Sequence, residues 1–373
     1  MFLTSEQVRF STQFVTAQTS GEKCITYNKQ ENIISVACEH ATFSDIVDQI
    51  QNPSILRPEE GYNQIWVLQA GINVEKDATL DINSEHVDWI KIIPGKDNPN
   101  AISVDGSLKI DSVKITSWDK QTNDYIKLFK VAGNEDEDED EEPPSQLRPY
   151  IKINSDATGP TIITNSELAY LGHSGSGIEG SGYGGLKFNG GDGSILKNNE
   201  IHDIWKGFSK GMKNMLIEGN RIYNNVKYGL DPHSGTNDMI IRNNTVYDNG
   251  NAGIICSADC YNIIIEGNTV FNSVNSYDSI IRNNIVYNED KCISIGRESH
   301  DIKIYDNTLS DCLNGVYIKE SFNNEIYNNK IKNVDYGLVA IEDSDDNLFH
   351  SNIVESAKIS ETFADQEGNI FET

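Results

Sequence analysis

An all-β chain wound as a parallel β-helix is the fold class this sequence predicts, on three observations. Aliphatic residues come in short runs such as MII, III and SII, each broken by Asn, Gly or Asp, as in a stack of short strands. Asparagines follow these runs in a ladder at Asn199, Asn220, Asn244, Asn268, Asn284, Asn307, Asn329 and Asn352, with steps of 21, 24, 24, 16, 23, 22 and 23 residues. Glycines open another strand of each unit at Gly185, Gly207, Gly229, Gly253, Gly315 and Gly337, with Cys292 in the same register. A repeat of this length cannot bury its own apolar face, so the units must stack. The fixed leucine pattern of leucine-rich repeats is absent and β-branched residues dominate, which favours strands. Asn side chains at equivalent turns are expected to form hydrogen-bonded ladders along the axis.

The elements follow in order. Residues 1–22 form an N-terminal segment without a charged region leading into an apolar one, so no signal peptide is visible. Residues 23–170 contain strand-like runs at irregular spacing, QIWVLQAG, WIKIIPG, SLKIDSVKITSW and YIKIN. They read as longer coils behind an N-terminal cap, which a solenoid needs to close its edge. Cys24 and Cys38 flank a hairpin-like stretch that can bring them together, although unpaired thiols fit equally well.

Within this part, 134–146 is an acidic insertion. Glu135 to Glu142 read EDEDEDEE before Pro143 and Pro144. The run lacks the glycine and regular spacing of a calcium loop and is read as disordered. The regular helix occupies 171–355, and 356–373 is a tail or cap. The 16-residue step from Asn268 to Asn284 is too short for a full coil, and the Gly-led strand between Val274 and Ser279 is the stretch expected to be lost.

The formal charge of −27, or −19 without the acidic run, argues against nucleic acid as a partner. No apolar run approaches the roughly 20 residues of a membrane span. Cys256 and Cys260 form a CxxxC without histidines at ligand spacing, so neither a metal nor a cofactor is expected.

Function on a solenoid must sit where successive coils align side chains in columns. Neighbouring coils read KGFSKGM and AGIICSA, but the coil at Gly229 reads YGLDPHSG. Proline is expected to end ladder pairing there and project Asp231 and His233 outward. Together with Tyr228 they form a proton-transfer constellation, His233 titrating near neutrality. The competing reading is an Asx-type turn carrying a solvated histidine. Lys187 and Lys210 count to positions near the column of Asp231 and Pro232, Lys187 being the more surely outward by strand alternation. Ordinary surface charge is their alternative reading.

The segment YGLDPHSGTNDMIIRNNTVYDNG closely resembles the catalytic coil of the mannuronan C5-epimerases, whose hallmark is Tyr-Gly-x-Asp-Pro-His. ATLDIN from Ala78, RPY from Arg148 to Tyr150 and SELAYLGHSGS from Ser166 follow the order of the bacterial periplasmic epimerases. The resemblance spans roughly residues 60 to 352. It implies a right-handed, single β-helical module without calcium-binding repeats. It also implies removal of the C5 proton of a uronic acid residue in a polymer and its return from the opposite face. His233 is then the base, Asp231 its partner, and Tyr228 or a bound water the acid.

The implied partner is an anionic polysaccharide, the implied address extracytoplasmic, and the expected state a monomer. One coil later the family carries Ser-Arg-Glu. Ser257 and Asp259 match in type, but Ala258 occupies the Arg position, while Arg297 in SIGRESHD lies beyond the short coil. A polyuronate lyase shares the base and expels the 4-O substituent. A non-catalytic carbohydrate-binding or structural β-helix is the alternative from another class.

Overall fold

The computed structural model describes residues 23–95, 99–128, 147–173, 184–250, 252–255, 260–271, 280–296, 300–363 and 368–372. The acidic run and the stretch from Val274 to Ser279 lie outside them, as do Ser257, Ala258, Asp259 and Arg297.

Short strands pair in parallel with the strand one coil away, building two thirteen-stranded sheets and, on the third face, a nine-stranded and a four-stranded sheet. Inward side chains stack in register. One column runs Ile115, Leu168, Ile201, Ile222, Val246, Val270, Val286, Leu309 and Ile331, all buried. Branched side chains suit this packing because they are stiff at χ1 and fill a pleated surface.

The asparagine ladder explains the repeated dipeptides before each turn. The first residue, such as Asn198, Gly219, Asn243, Gly267 or Asn283, takes a left-handed conformation with φ between 55° and 69°, which Asn and Gly tolerate best. The second turns its amide inward and along the axis. Asn199 Nδ2 donates to Asn220 Oδ1 at 3.0 Å, Asn220 to Asn244 at 2.9 Å, Asn244 to Asn268 at 3.0 Å and Asn268 to Asn284 at 3.1 Å. The ladder continues through Asn307 and Asn329 to Asn352. Buried amides are satisfied by one another, so the polar column costs the core little.

The N-terminal end is closed by local devices. An antiparallel hairpin pairs Ile25–Asn28 with Ile33–Val36, and Cys24 and Cys38 are disulfide-bonded, which settles the alternative left open by the sequence. The helix Phe43–Ile50 starts with a reciprocal cap between Thr42 and Asp45, ends at a left-handed Gln51, and buries Phe43 and Ile46.

The two long sheets pass through the short coil, Ile264 pairing with Ile280 and Thr269 with Ile285. On the third face, among the described residues, the nine-stranded sheet ends with Ala252–Ile254 and the four-stranded sheet starts with Lys291–Ile295.

Candidate active site

The strand Tyr228–His233 lies on this third face, one strand before the break. Its outer neighbours come from three preceding strands, Ile151–Ile153, Gly185–Phe188 and Lys206–Lys210. Leu186 and Phe188 belong to the core. Alternation therefore turns Lys187 outward, and the same register carries the column through Lys152, Lys187, Phe208 and Asp231. Ser209 pairs with Pro232 and Lys210 with His233.

The site strand carries a bulge. The Lys227 amide donates to the Trp205 carbonyl at 3.0 Å, yet Asp231 stands in register with Phe208. By the parallel pattern Lys227 opposes Lys206, so Tyr228, Gly229 and Leu230 stand against Gly207 alone, two residues in excess. Such an excess bends a strand and re-aims its side chains. Glycine is required at its centre, because a Cβ on Gly229 would lie 2.4 Å from the Gly253 carbonyl oxygen.

Pro232 corrects the expectation that proline ends the ladder. The strand runs through it, and Pro232 and His233 keep register with Ser209 and Lys210. Toward the following strand, Tyr228 and Leu230 pair with Ala252 and Ile254. The strand then turns sharply at Ser234 and Gly235, both with positive φ.

His233 Nδ1 contacts Ser234 Oγ at 2.5 Å, and the ring is half-buried. Asp231 is 2% exposed. Lys206, 7% exposed, holds its ammonium 5.6 Å from the Tyr228 ring centroid, a cation–π arrangement beside the phenol. The cavity below the strand is lined by core residues including Leu186, Phe188, Met215 and Leu230, and has room for about one water at about 20 Å³. The cavity is too small to hold a sugar residue.

The lysines reverse the ranking drawn from alternation. Lys210 is exposed and shares the register of His233, rather than that of Asp231 and Pro232. Lys187 does share the Asp231 column, but is only 9% exposed. Alternation fixes which side of a sheet a residue faces and says nothing of what covers it. Lys152 and Lys206 were missed. Their signal was present in YIKIN and KGFSK, where lysine occupies the outward alternate position.

The RPY run has a structural place. Arg148 is buried, and its guanidinium donates to the carbonyls of Gly172 at 2.6 Å, Leu171 at 2.8 Å and Ile126 at 3.2 Å. Burial pushes it down to about 9, opposed by the charge of Asp203. It ties Ile126 to the turn at Leu171 and Gly172. Ser257, Asp259 and Arg297 are not placed by the described residues. Cys260 is disulfide-bonded. Among the described residues, no group of three or more His, Cys, Asp or Glu side chains is arranged to hold a metal ion.

The chain is a right-handed parallel β-helix with its candidate site on an outer face. The family described as right handed beta helix region matches residues 151–277, and that described as periplasmic copper-binding protein (NosD) matches residues 262–372. Among solved structures it is similar to the periplasmic alginate epimerase AlgG, with 19% identity, 91% of this chain and 84% of that one covered, and a TM-score of 0.69. It is also similar to the A-module of the Azotobacter vinelandii mannuronan C-5 epimerase AlgE6, with 16% identity, coverage of 82% and 88%, and a TM-score of 0.50. No curated protein matches the sequence significantly. At these identities the likeness establishes the fold.

Proposed function

We propose that this protein epimerises uronic acid residues at C5 within an anionic polysaccharide, most simply polymannuronate. The observation that carries the reading is the register of Lys210 with His233, which sets an exposed ammonium beside an imidazole on an open face. The C5 proton of a uronate is acidified by the adjacent carboxylate, and its removal places charge on that carboxylate. A base and a nearby cation are the two groups the step needs.

In this reading His233 takes the proton. With Nδ1 engaged by Ser234, Nε2 is the basic atom. Asp231 holds the local charge that favours the imidazolium. Lys206 or Lys210 neutralises the developing enediolate, the role that Ala258 cannot fill at the family's Arg position. Tyr228, beside Lys206, or a bound water returns a proton to the opposite face of the ring. The disulfides Cys24–Cys38 and Cys292–Cys312 support an oxidising, extracytoplasmic address.

The test is incubation of polymannuronate with the protein in heavy water, followed by NMR. Deuterium at C5 with guluronate signals and no new ultraviolet absorbance is expected. An unsaturated, absorbing product would replace the epimerase reading with a lyase. Binding without isotope exchange would leave a non-catalytic carbohydrate-binding protein.

A further inference from the structure

Among the described residues, the lysines of the site face that have neither an ion pair nor a ring contact lie N-terminal to the site strand. N-terminal to it, Lys152, Lys187 and Lys210 occupy outward positions on three successive strands, with Lys206 beside them. Lys152 and Lys210 form no ion pair among the described residues, whereas many lysines of this acidic chain do, including Lys114 with Glu167 and Lys303 with Glu325.

Toward the C-terminus the face continues as the four-stranded sheet. The outer column there reads Ser294, Tyr317 and Val339. Its two nearby lysines are engaged: Lys319 lies 2.8 Å from Glu342 and 3.6 Å from Glu320, and the Lys291 ammonium lies 4.6 Å from the Tyr317 ring centroid. Glu342 and Asp343 stand exposed at the strand end. Among the described residues, unpaired positive charge attracts a polyanion over the first half of this face, and the exposed carboxylates repel it over the second.

Resting on the reading of a polyuronate substrate, we propose that the polymer lies along the solenoid axis with its anchoring residues over the coils N-terminal to His233. The reacting residue then sits near one end of the bound stretch. Strands are spaced about 4.8 Å apart, so Lys152, three strands before Asp231, is roughly 14 Å upstream. An extended 1,4-linked uronate chain advances by a similar interval per sugar. A trimer starting at His233 therefore stops short of Lys152, and a hexamer passes it.

End-labelled tri- and hexamannuronate are titrated by fluorescence anisotropy at low salt against the wild type, Lys152→Ala and Lys319→Ala. Lys152→Ala is expected to weaken the hexamer at least fivefold and leave the trimer within twofold, while Lys319→Ala changes neither. Hexamer binding unaffected by Lys152→Ala, or weakened equally by Lys319→Ala, overturns the proposal. In heavy water the wild type is expected to place deuterium toward one end of the hexamer, and even labelling along it also overturns the one-sided footprint. Absent labelling with the binding pattern intact removes the epimerase reading and supports the footprint. A wild type that binds neither oligomer removes both.

Discussion

Lys210 and His233 stand in register on adjacent parallel strands, about one strand spacing of 4.8 Å apart at the backbone. The pair sets an exposed ammonium beside an imidazole, and the first predictions concern it.

Replacing His233 with Ala is expected to lower the turnover of polymannuronate by about 10²–10⁴-fold, the range for a general base. The circular dichroism spectrum should stay unchanged, because the ring is half-buried at a strand end rather than in the core. Tyr228→Phe separates the two candidate acids. A loss comparable to that of His233→Ala assigns the phenol, and a change under tenfold assigns water.

Lys210→Ala is expected to raise KM several-fold, with the difference from wild type shrinking as salt is added. The Debye length falls from about 10 Å at 0.1 M to about 3 Å at 1 M. Kinetics at both ionic strengths check this, and a KM effect independent of salt would assign Lys210 a role other than charge.

Asn244→Ala should destabilise the fold by about 2–3 kcal/mol. Asn244 accepts from both the backbone and the side chain of Asn220 at 2.9 Å, and donates to Asn268 and to the Ile217 carbonyl at 3.0 Å. Its loss leaves buried donors and acceptors without partners. Chemical denaturation measures the effect. Asn352→Ala, at the less buried end of the same ladder, should cost less.

His202 should make stability fall as pH rises. It stacks on Tyr223 at 4.7 Å and lies 2.7 Å from Asp203 and 3.2 Å from Glu167. Burial opposes its charge, but the two carboxylates outweigh burial and raise it to about 9. A folded value above the unfolded value of about 6.5 gives stabilisation that is complete below about pH 6.5 and lost as pH rises through about 9. The Tm advantage of wild type over His202→Gln should be larger at pH 6 than at pH 9.5. Equal advantages at both would show that the charge contributes nothing.

Much of this was legible in the chain. The asparagine and glycine steps predict the coils, and YGLDPH singles out the strand that carries the candidate site. Expectations about side-chain environment fared less well. Alternation points Lys187 outward, yet it is buried; proline signals a stop, yet the strand passes through Pro232; and only its alternate place in KGFSK marks Lys206.

The division has a physical cause. In a solenoid each coil rests on the next, so stacking partners lie one period away and the pattern of apolar and turn residues determines the fold by itself. The site depends on register, and register shifts by two residues where Tyr228, Gly229 and Leu230 bulge against Gly207. That excess, the passage of the strand through Pro232 and the burial of Lys187 are set only once the coils are stacked, so the tertiary structure decided them.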